Sequence, residues 1–155
     1  MFKAASSCES AAYNPGSYWL LSPDMAFYQR GLLGGSYFEN PTLLYGRFAP
    51  SLNARHVHTP LLMEYNSESL FGLEFYWALK ERGVPVELIF YPESGHVFQK
   101  PKQRVSSMQR NLDWFRFWLN GEEEDDPAKA EQYARWRELR KLQEKNEATR
   151  TGSKQ

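Results

Sequence analysis

The sequence predicts an α/β fold in which parallel strands are flanked by helices, followed by a charged C-terminal helix. Residues 61–65 and 86–91 are largely apolar without alternation, which is typical of strands covered on both faces of a parallel sheet. A helical pattern lies between them and a second one follows them. This alternation of strand and helix predicts parallel strands joined by right-handed crossovers.

The first part of the chain is predicted to contain one strand and several short helices. Residues 1–5 fit a short strand, and residues 6–17 read as a loop that includes Asn14-Pro15-Gly16. The aromatic stretch from Tyr18 to Arg47 is interrupted by Gly34-Gly35 and Pro41. These breaks favour short helices over one long element.

The pattern from residue 59 to residue 120 is more regular. The Thr59-Pro60 step favours extended backbone before the strand at 61–65. A helix is predicted over 69–82 with Gly83 after its end, and the strand at 86–91 follows. The next helix, over 103–119, carries apolar residues at alternating steps of three and four, namely Val105, Met108, Leu112, Phe115 and Leu119.

The composition changes after residue 120. Residues 121–126 form an acidic linker, and Pro127 behind Asp126 fits the first turn of a helix predicted over 127–147. Tyr133, Trp136, Leu139 and Leu142 give that helix a thin apolar stripe. We expect the helix to lie across the surface of its own domain, with partner binding as the alternative, and residues 148–155 to be disordered.

Composition limits the possible functions. The 155 residues contain 19 basic and 19 acidic side chains, so nothing in the net charge indicates a nucleic acid or a membrane surface as partner. No apolar run is long enough to span a bilayer. Cys8 is the only cysteine, which rules out an intrachain disulfide and leaves the compartment open.

No cofactor or metal is expected. The sequence contains no phosphate loop, no Cys-x-x-Cys and no calcium loop. His56 and His58 alternate, so they would share one face of a strand. No carboxylate or cysteine lies near them in the sequence, so a loop or edge position is favoured over a metal site.

His96 is the most informative residue of the chain. The strand at 86–91 ends in a Pro92-Glu93-Ser94-Gly95 turn, and His96 follows directly. Loops beyond the carboxyl ends of parallel strands are where α/β proteins place their chemistry. An imidazole there can titrate near neutral pH and move protons. We interpret His96 as a general base; a surface-loop histidine is the alternative.

Several short segments carry a family resemblance. They are Thr59-Pro60-Leu61-Leu62, residues 78–88, Tyr91-Pro92, Gly95-His96, Lys100-Pro101 and Asn111-Leu112-Asp113-Trp114-Phe115. Together they resemble the end of the catalytic domain of prolyl oligopeptidase family serine peptidases. The resemblance implies that residues 1–120 form the C-terminal half of an α/β-hydrolase domain.

A further segment is similar to the aromatic stretch that lines the substrate cleft in that family. It is Tyr28-Gln29-Arg30-Gly31, followed by Gly34. The substrate-binding residues expected in this region are Tyr18, Trp19, Phe27 and Tyr28. Aromatic residues of the core are the alternative interpretation of these four side chains.

The resemblance also implies that the nucleophile lies outside this chain. The family serine sits on a Gly-x-Ser-x-Gly elbow, and the sequence contains none. Ser17 and Ser36 imitate it most nearly and are read as loop serines. We therefore expect a piece of a larger enzyme, whose remainder carries the serine, the oxyanion hole and a β-propeller.

The triad acid has two candidates. Triad order is serine, acid, histidine, which places the acid just after the strand at 61–65, where the sequence has Glu64 and Glu68 but no aspartate. Glu68 is favoured because its loop lies at the mouth of the sheet, whereas Glu64 could point into the sheet face. A helix-dipole partner is the alternative role for Glu68.

With a glutamate as the acid on a short loop, the sequence is similar to the lasso peptide isopeptidases, a bacterial branch of the same family. The implied function is hydrolysis of the isopeptide bond that closes the macrolactam ring, which linearises the peptide. The alternatives are a prolyl oligopeptidase-like endopeptidase or dipeptidyl peptidase, and a non-catalytic binding scaffold. Either the bacterial cytoplasm or the periplasm fits.

Overall fold

Three parallel strands form the sheet in the described part of the chain. The computed structural model describes residues 2–8, 15–20, 23–39, 45–66 and 72–152, with only the backbone for 19, 20 and 23–25. The strands are β1 (Ala5–Cys8), β2 (Leu61–Asn66) and β3 (Val86–Tyr91), in the order β1-β2-β3. Both pairings are parallel, which confirms the predicted sheet.

Helices flank the strands in chain order. Between β1 and β2 lie α1 (Pro15–Leu20), α2 (Pro23–Leu33), the short α3 (Gly46–Phe48) and a 3₁₀ turn at Ala54–His56. Between β2 and β3 lies α4 (Gly72–Glu81). After β3 come α5 (Pro101–Phe115), which continues as a π-helical turn at Arg116–Asn120, then a 3₁₀ turn at Pro127–Lys129 and α6 (Ala130–Gly152).

The two faces of β2 pack into separate apolar clusters because successive side chains of a strand point to opposite sides. One face packs against α4, in a cluster of Ala54, Leu61, Met63, Tyr65, Leu79, Val84 and Val86. The other face packs against α5 and α6, in a cluster of Leu62, Trp114, Phe117, Tyr133 and Trp136. A third cluster of Tyr18, Ala26, Tyr45 and Ala49 holds the segment that contains α1 and α2 together.

The predicted helix boundaries are confirmed where capping residues mark them. Gly83 and Gly121 follow α4 and the π-helical turn with left-handed φ values of 68° and 75°, which glycine adopts without a steric penalty. The Asp126 carboxylate accepts a hydrogen bond from the Ala128 N–H at 2.9 Å, ahead of Pro127. These residues end and start helices through local geometry alone.

Two ends of elements differ from the sequence-based expectation. The first strand covers Ala5–Cys8 rather than residues 1–5, because pairing begins where the Ala5 N–H donates to the Pro60 carbonyl. The last helix continues to Gly152, so disorder from residue 148 is wrong for residues 148–152. Good helix formers such as Lys145 and Glu147 extend it. Residues 153–155 lie outside the described residues.

Helix α6 docks on its own domain, as the favoured interpretation held. Trp136 is fully buried and Tyr133 is 3% exposed, both in the cluster below the sheet. The thin stripe therefore enters the core, whereas we expected it only to cross the surface. Two large aromatic side chains bury enough apolar area to fix a helix whose remaining faces are charged.

The apolar stripe of α5 faces outward. Val105 and Met108 are 66% and 72% exposed, and Leu112 and Leu119 are about half exposed. The face that packs on the sheet instead presents Asn111 and the buried Trp114. Periodicity therefore predicted the helix correctly but not which face it buries.

No helix within the described ranges has both the length and the apolar character needed to cross a bilayer.

Candidate active site

His96 lies on the loop that joins β3 to α5, at the carboxyl edge of the sheet. The imidazole is on an exposed residue, whereas Ser94 and Phe98, two residues to either side, are only 3% and 9% exposed. The loop therefore turns its histidine outward between two buried neighbours. This is the location that the sequence predicts for a general base.

Side-chain and backbone contacts fix the two shoulders of the loop, by which we mean Ser94 before His96 and Phe98 after it. The Ser94 hydroxyl donates to the Tyr91 carbonyl at 2.9 Å, and the Phe98 and Tyr91 rings lie 4.6 Å apart between centroids. Arg104 on α5 donates to the Phe98 carbonyl at 2.6 Å, and Gln103 donates to the Pro92 carbonyl at 2.7 Å. The position of His96 is thus set by the end of β3 and the first turns of α5.

Glu93 contributes to the turn in two ways. Its φ of 54° lies in the left-handed region, which is uncommon for a residue other than glycine. Its carboxylate accepts a hydrogen bond from Lys100 at 2.7 Å, and this bond and the lysine charge lower the pKa of Glu93. Both side chains are exposed, so the pair shapes the loop more than it stabilises it.

Glu64 is buried near the carboxyl end of β2, and its side chain points to one face of the sheet. It is 1% exposed. Its Oε1 accepts from the Tyr91 hydroxyl at 2.6 Å, and its Oε2 accepts from the Ser107 hydroxyl at 2.9 Å and the Asn111 amide at 2.6 Å. Three donors satisfy this carboxylate inside the protein, as a buried charge requires.

Glu68, the favoured acid, lies outside the described residues. The segment that contains it leaves β2 at Asn66 and enters α4 at Gly72. Both ends lie at the carboxyl edge of the sheet, where the next strand along also delivers the His96 loop. The assignment of Glu68 as the triad acid stays a prediction.

The segment that contains α1 and α2 is tied to the same edge. Glu74, in the first turn of α4, accepts hydrogen bonds from the Gly16 N–H at 2.7 Å and the Ser51 hydroxyl at 2.8 Å. Since α4 begins just beyond β2, these bonds bring the start of α1 to the carboxyl side of the sheet. The predicted aromatic region and the predicted base therefore share one side of the domain.

The four predicted substrate-binding aromatics occupy different environments. Phe27 and Tyr28 are 78% and 54% exposed on α2. Tyr18 is buried, and its hydroxyl lies 2.9 Å from the Ser36 hydroxyl. The side chain of Trp19 is outside the described residues.

The two serines that imitate an elbow have structural surroundings. Ser17 is fully buried in α1 and accepts a hydrogen bond from Gln29 at 2.8 Å. Ser36 lies in a turn next to the Tyr18 hydroxyl. As far as the preceding residues are described, neither follows a strand, which agrees with their interpretation as serines outside an elbow.

The described residues contain no group of three or more His, Cys, Asp or Glu side chains placed to hold a metal ion. His56 accepts a hydrogen bond from Arg55 at 3.0 Å at the end of the 3₁₀ turn, before β2 begins. This is the loop position that the sequence favours for the His-x-His pair.

The hydrogen-bonded group around Glu64 was missed from the sequence. An acid in the middle of an apolar strand is a signal, because a buried carboxylate needs donors. Ser107 and Asn111 are four residues apart on the predicted helix after the strand, so they share one helical face. Together these two observations would have pointed to the contact.

Comparison with known proteins agrees with this geometry. Residues 66–122 match the sequence profile of the prolyl oligopeptidase family. The lasso peptide isopeptidase AtxE2 of Asticcacaulis excentricus is 44% identical over 96 residues, which are 61% of this chain and 14% of that protein. The human acylamino-acid-releasing enzyme is 37% identical over 68 residues, 41% of this chain and 9% of that enzyme.

Two solved structures superpose on nearly the whole chain. The apo AtxE2 isopeptidase has a TM-score of 0.75 at 32% identity, and covers 91% of this chain. A serine-to-alanine variant of the same isopeptidase with Astexin3-dC4 bound has a TM-score of 0.77 at 32% identity over 90% of this chain. In both cases this chain spans 22% of the solved one.

The parallel sheet with helices on both faces matches an α/β-hydrolase-like fold, as the sequence predicts. Sequence profile, relatives and superposition lead to one conclusion. The chain is similar to the prolyl oligopeptidase family and, within it, to the lasso peptide isopeptidase branch.

Proposed function

We propose that this chain supplies the base and the acid of a serine isopeptidase that linearises lasso peptides. His96 is the general base, and Glu68 is the acid that orients it. The observation that carries the proposal is the exposure of His96 between two buried, anchored neighbours at the carboxyl edge. The 44% identity to a lasso peptide isopeptidase supports the choice of substrate.

The chemistry is acyl transfer. A serine outside this chain attacks the side-chain carbonyl carbon of the isopeptide bond, and His96 accepts the hydroxyl proton. The same imidazole then protonates the leaving amine, which opens the ring. Water, deprotonated by His96, hydrolyses the acyl-enzyme, and the Glu68 carboxylate stabilises the imidazolium in both stages.

The serine, the oxyanion hole and a β-propeller belong in this proposal to the remainder of the enzyme. In the described residues β1 stands at one end of the strand order β1-β2-β3 and pairs with β2.

The exposed aromatic pair on α2 is proposed as part of the peptide-binding surface. Phe27 and Tyr28 offer apolar area on the side of the domain to which Glu74 ties the segment. Trp19, next to Tyr18 in the sequence, is included in the proposal. Tyr18 is buried in the cluster of α1 and α2 and would support this surface from within.

The test is a histidine substitution in the intact enzyme that contains this chain. His96→Ala should lower the rate of macrolactam opening by about 10²–10⁴-fold, the usual contribution of a general base. Mass spectrometry follows the gain of one water by a lasso peptide. His56→Ala, at the loop before β2, is the matched control. Normal turnover by His96→Ala would show that the base has been misassigned.

The same assay ranks the two acids. Glu68→Gln should lose far more activity than Glu64→Gln, because the carboxylate of Glu64 is already committed to three donors in the sheet face. The reverse order would move the triad acid to Glu64.

A second function is favoured by the similarity to the human acylamino-acid-releasing enzyme. In this alternative the same base serves an endopeptidase, a dipeptidyl peptidase or an acylpeptide hydrolase. Cleavage of linear peptides, with a threaded peptide left intact, would support it. Peptide binding without cleavage of either substrate would instead support a non-catalytic scaffold.

A further inference from the structure

The hydrogen-bonded group around Glu64 crosses the whole sheet beneath the proposed base. It consists of Ser6 on β1, Glu64 on β2, Tyr91 at the end of β3, and Ser107 and Asn111 on α5. Asn111 donates to Glu64 at 2.6 Å and accepts from the Ser6 hydroxyl. Each of the three described strands therefore contributes one polar group, and α5 contributes two, to one hydrogen-bonded group.

Tyr91 is the member of this group through which we connect it to the His96 loop. Its hydroxyl donates to Glu64 at 2.6 Å, its carbonyl accepts from Ser94, and its ring packs against Phe98. Ser94 precedes His96 by two residues and Phe98 follows it by two. Tyr91 thus contacts both shoulders of the loop, and its hydroxyl is in turn hydrogen-bonded to Glu64.

The hydrogen bond from the Tyr91 hydroxyl to Glu64 keeps its donor at any pH at which such an enzyme works. Burial first, and then the hydrogen bond and charge of Glu64, raise the pKa of Tyr91 to about 12. The phenol therefore stays protonated and remains a donor. A charge-assisted hydrogen bond from a buried phenol to a carboxylate is short and strong, as the 2.6 Å distance indicates.

We propose that Glu64 is a positioning residue, which fixes His96 through the Tyr91 hydroxyl and the two loop shoulders that Tyr91 contacts. This role rests on the proposed function, in which His96 is the base. In this proposal Glu64 has a role distinct from that of Glu68, the proposed triad acid. Errors in placement are costly, since a shift of about 1 Å costs on the order of 10²-fold in rate.

The deciding variant is Tyr91→Phe in the intact enzyme. It keeps the ring on Phe98 and the carbonyl for Ser94, and removes the hydroxyl that donates to Glu64 and is also hydrogen-bonded to Ser106. We expect kcat for macrolactam opening to fall about 10-fold with KM within about twofold, because the loop loosens while the peptide surface is untouched. Equal effects on KM and kcat would argue against positioning.

Tyr45→Phe is the matched control. Tyr45 is also fully buried, and its hydroxyl donates to Gln29 at 3.0 Å in the cluster of α1 and α2, away from the loop. It loses the same atom and a comparable hydrogen bond. If Tyr91→Phe lowers kcat no more than Tyr45→Phe does at equal folded fraction, the positioning role is wrong.

A double-mutant cycle separates positioning from general destabilisation. If Glu64 acts through Tyr91, Glu64→Gln combined with Tyr91→Phe should lower kcat no further than the more damaging single change. Additive losses would contradict the proposal. His96→Ala remains the separate test of the base: full activity in that variant removes the proposed function, whereas an inactive His96→Ala beside a normal Tyr91→Phe removes only this inference.

Discussion

The glycine that begins α4 allows this helix to approach the Tyr65 ring at the end of β2. A Cβ atom on Gly72 would overlap Cζ and Cε1 of the Tyr65 ring. Tyr65 is fully buried in the cluster between β2 and α4, so its ring has no room to retreat. Glycine at position 72 therefore allows the helix to start against the strand end, with residues 67–71 as the whole connection.

The residue-scale prediction is that Gly72→Ala destabilises the fold. Overpacking of a core costs about 1–3 kcal/mol, and we expect that loss in the free energy of unfolding by urea. Gly31→Ala is the control, because no atom lies within 4 Å of its Cβ position in α2. That change should stabilise by up to about 1 kcal/mol through helix propensity. Equal stability of the two variants would contradict the close approach.

At the scale of elements, α6 is held by polar contacts as well as by its aromatic residues. Lys129, in the 3₁₀ turn before α6, lies 2.8 Å from Asp113 and 2.5 Å from Glu124. The Asp113 carboxylate, 1% exposed, also accepts from Gln109 and Gln132. Burial acts to lower the pKa of Lys129, but its bonds to the two carboxylates outweigh that effect and raise it.

We therefore expect Lys129→Met to weaken the docking of α6. Loss of a hydrogen bond to a buried charge costs about 1.5–3 kcal/mol, measurable as a lower midpoint in urea. Lys141→Met, on α6 itself, is the matched control, since the Lys141–Glu138 pair is 70% exposed on both sides. That variant should change stability by no more than about 0.5 kcal/mol. Equal losses of stability would mean that the contact with Asp113 contributes no more than an exposed ion pair.

The elements were largely predictable because local signals determine them. Capping residues such as Gly83, Gly121 and Asp126 mark helix ends by backbone geometry, and unalternating apolar runs mark parallel strands. The buried face of α5 was not predictable from periodicity. The helix turns Ser107 and Asn111 toward the sheet to satisfy Glu64, which leaves Val105 and Met108 outside.

The position of the candidate base was predictable from the sequence, but the contacts that hold its loop were not. The position of His96 follows from the rule that loops after parallel strands carry chemistry. The role of Tyr91 depends on a contact with a residue 27 positions earlier in the chain. Such a pairing is set by sheet register, Asn66 beside Tyr91 and Glu64 beside Ile89, and no local pattern fixes it.

At the scale of the whole molecule, the groups with raised pKa values make the fold sensitive to alkali. Burial, followed by the charge of Tyr18, raises the pKa of Tyr45 to about 12, and the pKa of Tyr91 reaches about 12 through burial and Glu64. The pKa of Lys129 is raised as well. All three bind their protons more tightly in the folded chain. Because one lies in the α1 and α2 cluster, one under the sheet and one at α6, the effect reaches all parts of the domain.

The expected outcome is a loss of stability between pH 10 and about pH 12. A folded pKa above the unfolded value of 10.0 means that the unfolded chain binds fewer protons in that interval, so the free energy of unfolding falls as the pH rises. Below pH 10 the contribution is complete. Urea midpoints measured across the interval should decline, and less steeply in Tyr91→Phe or Tyr45→Phe. Tyr28→Phe, on an exposed residue, should leave the slope unchanged; a slope equally shallow in all three variants would refute the assignment to the buried pair.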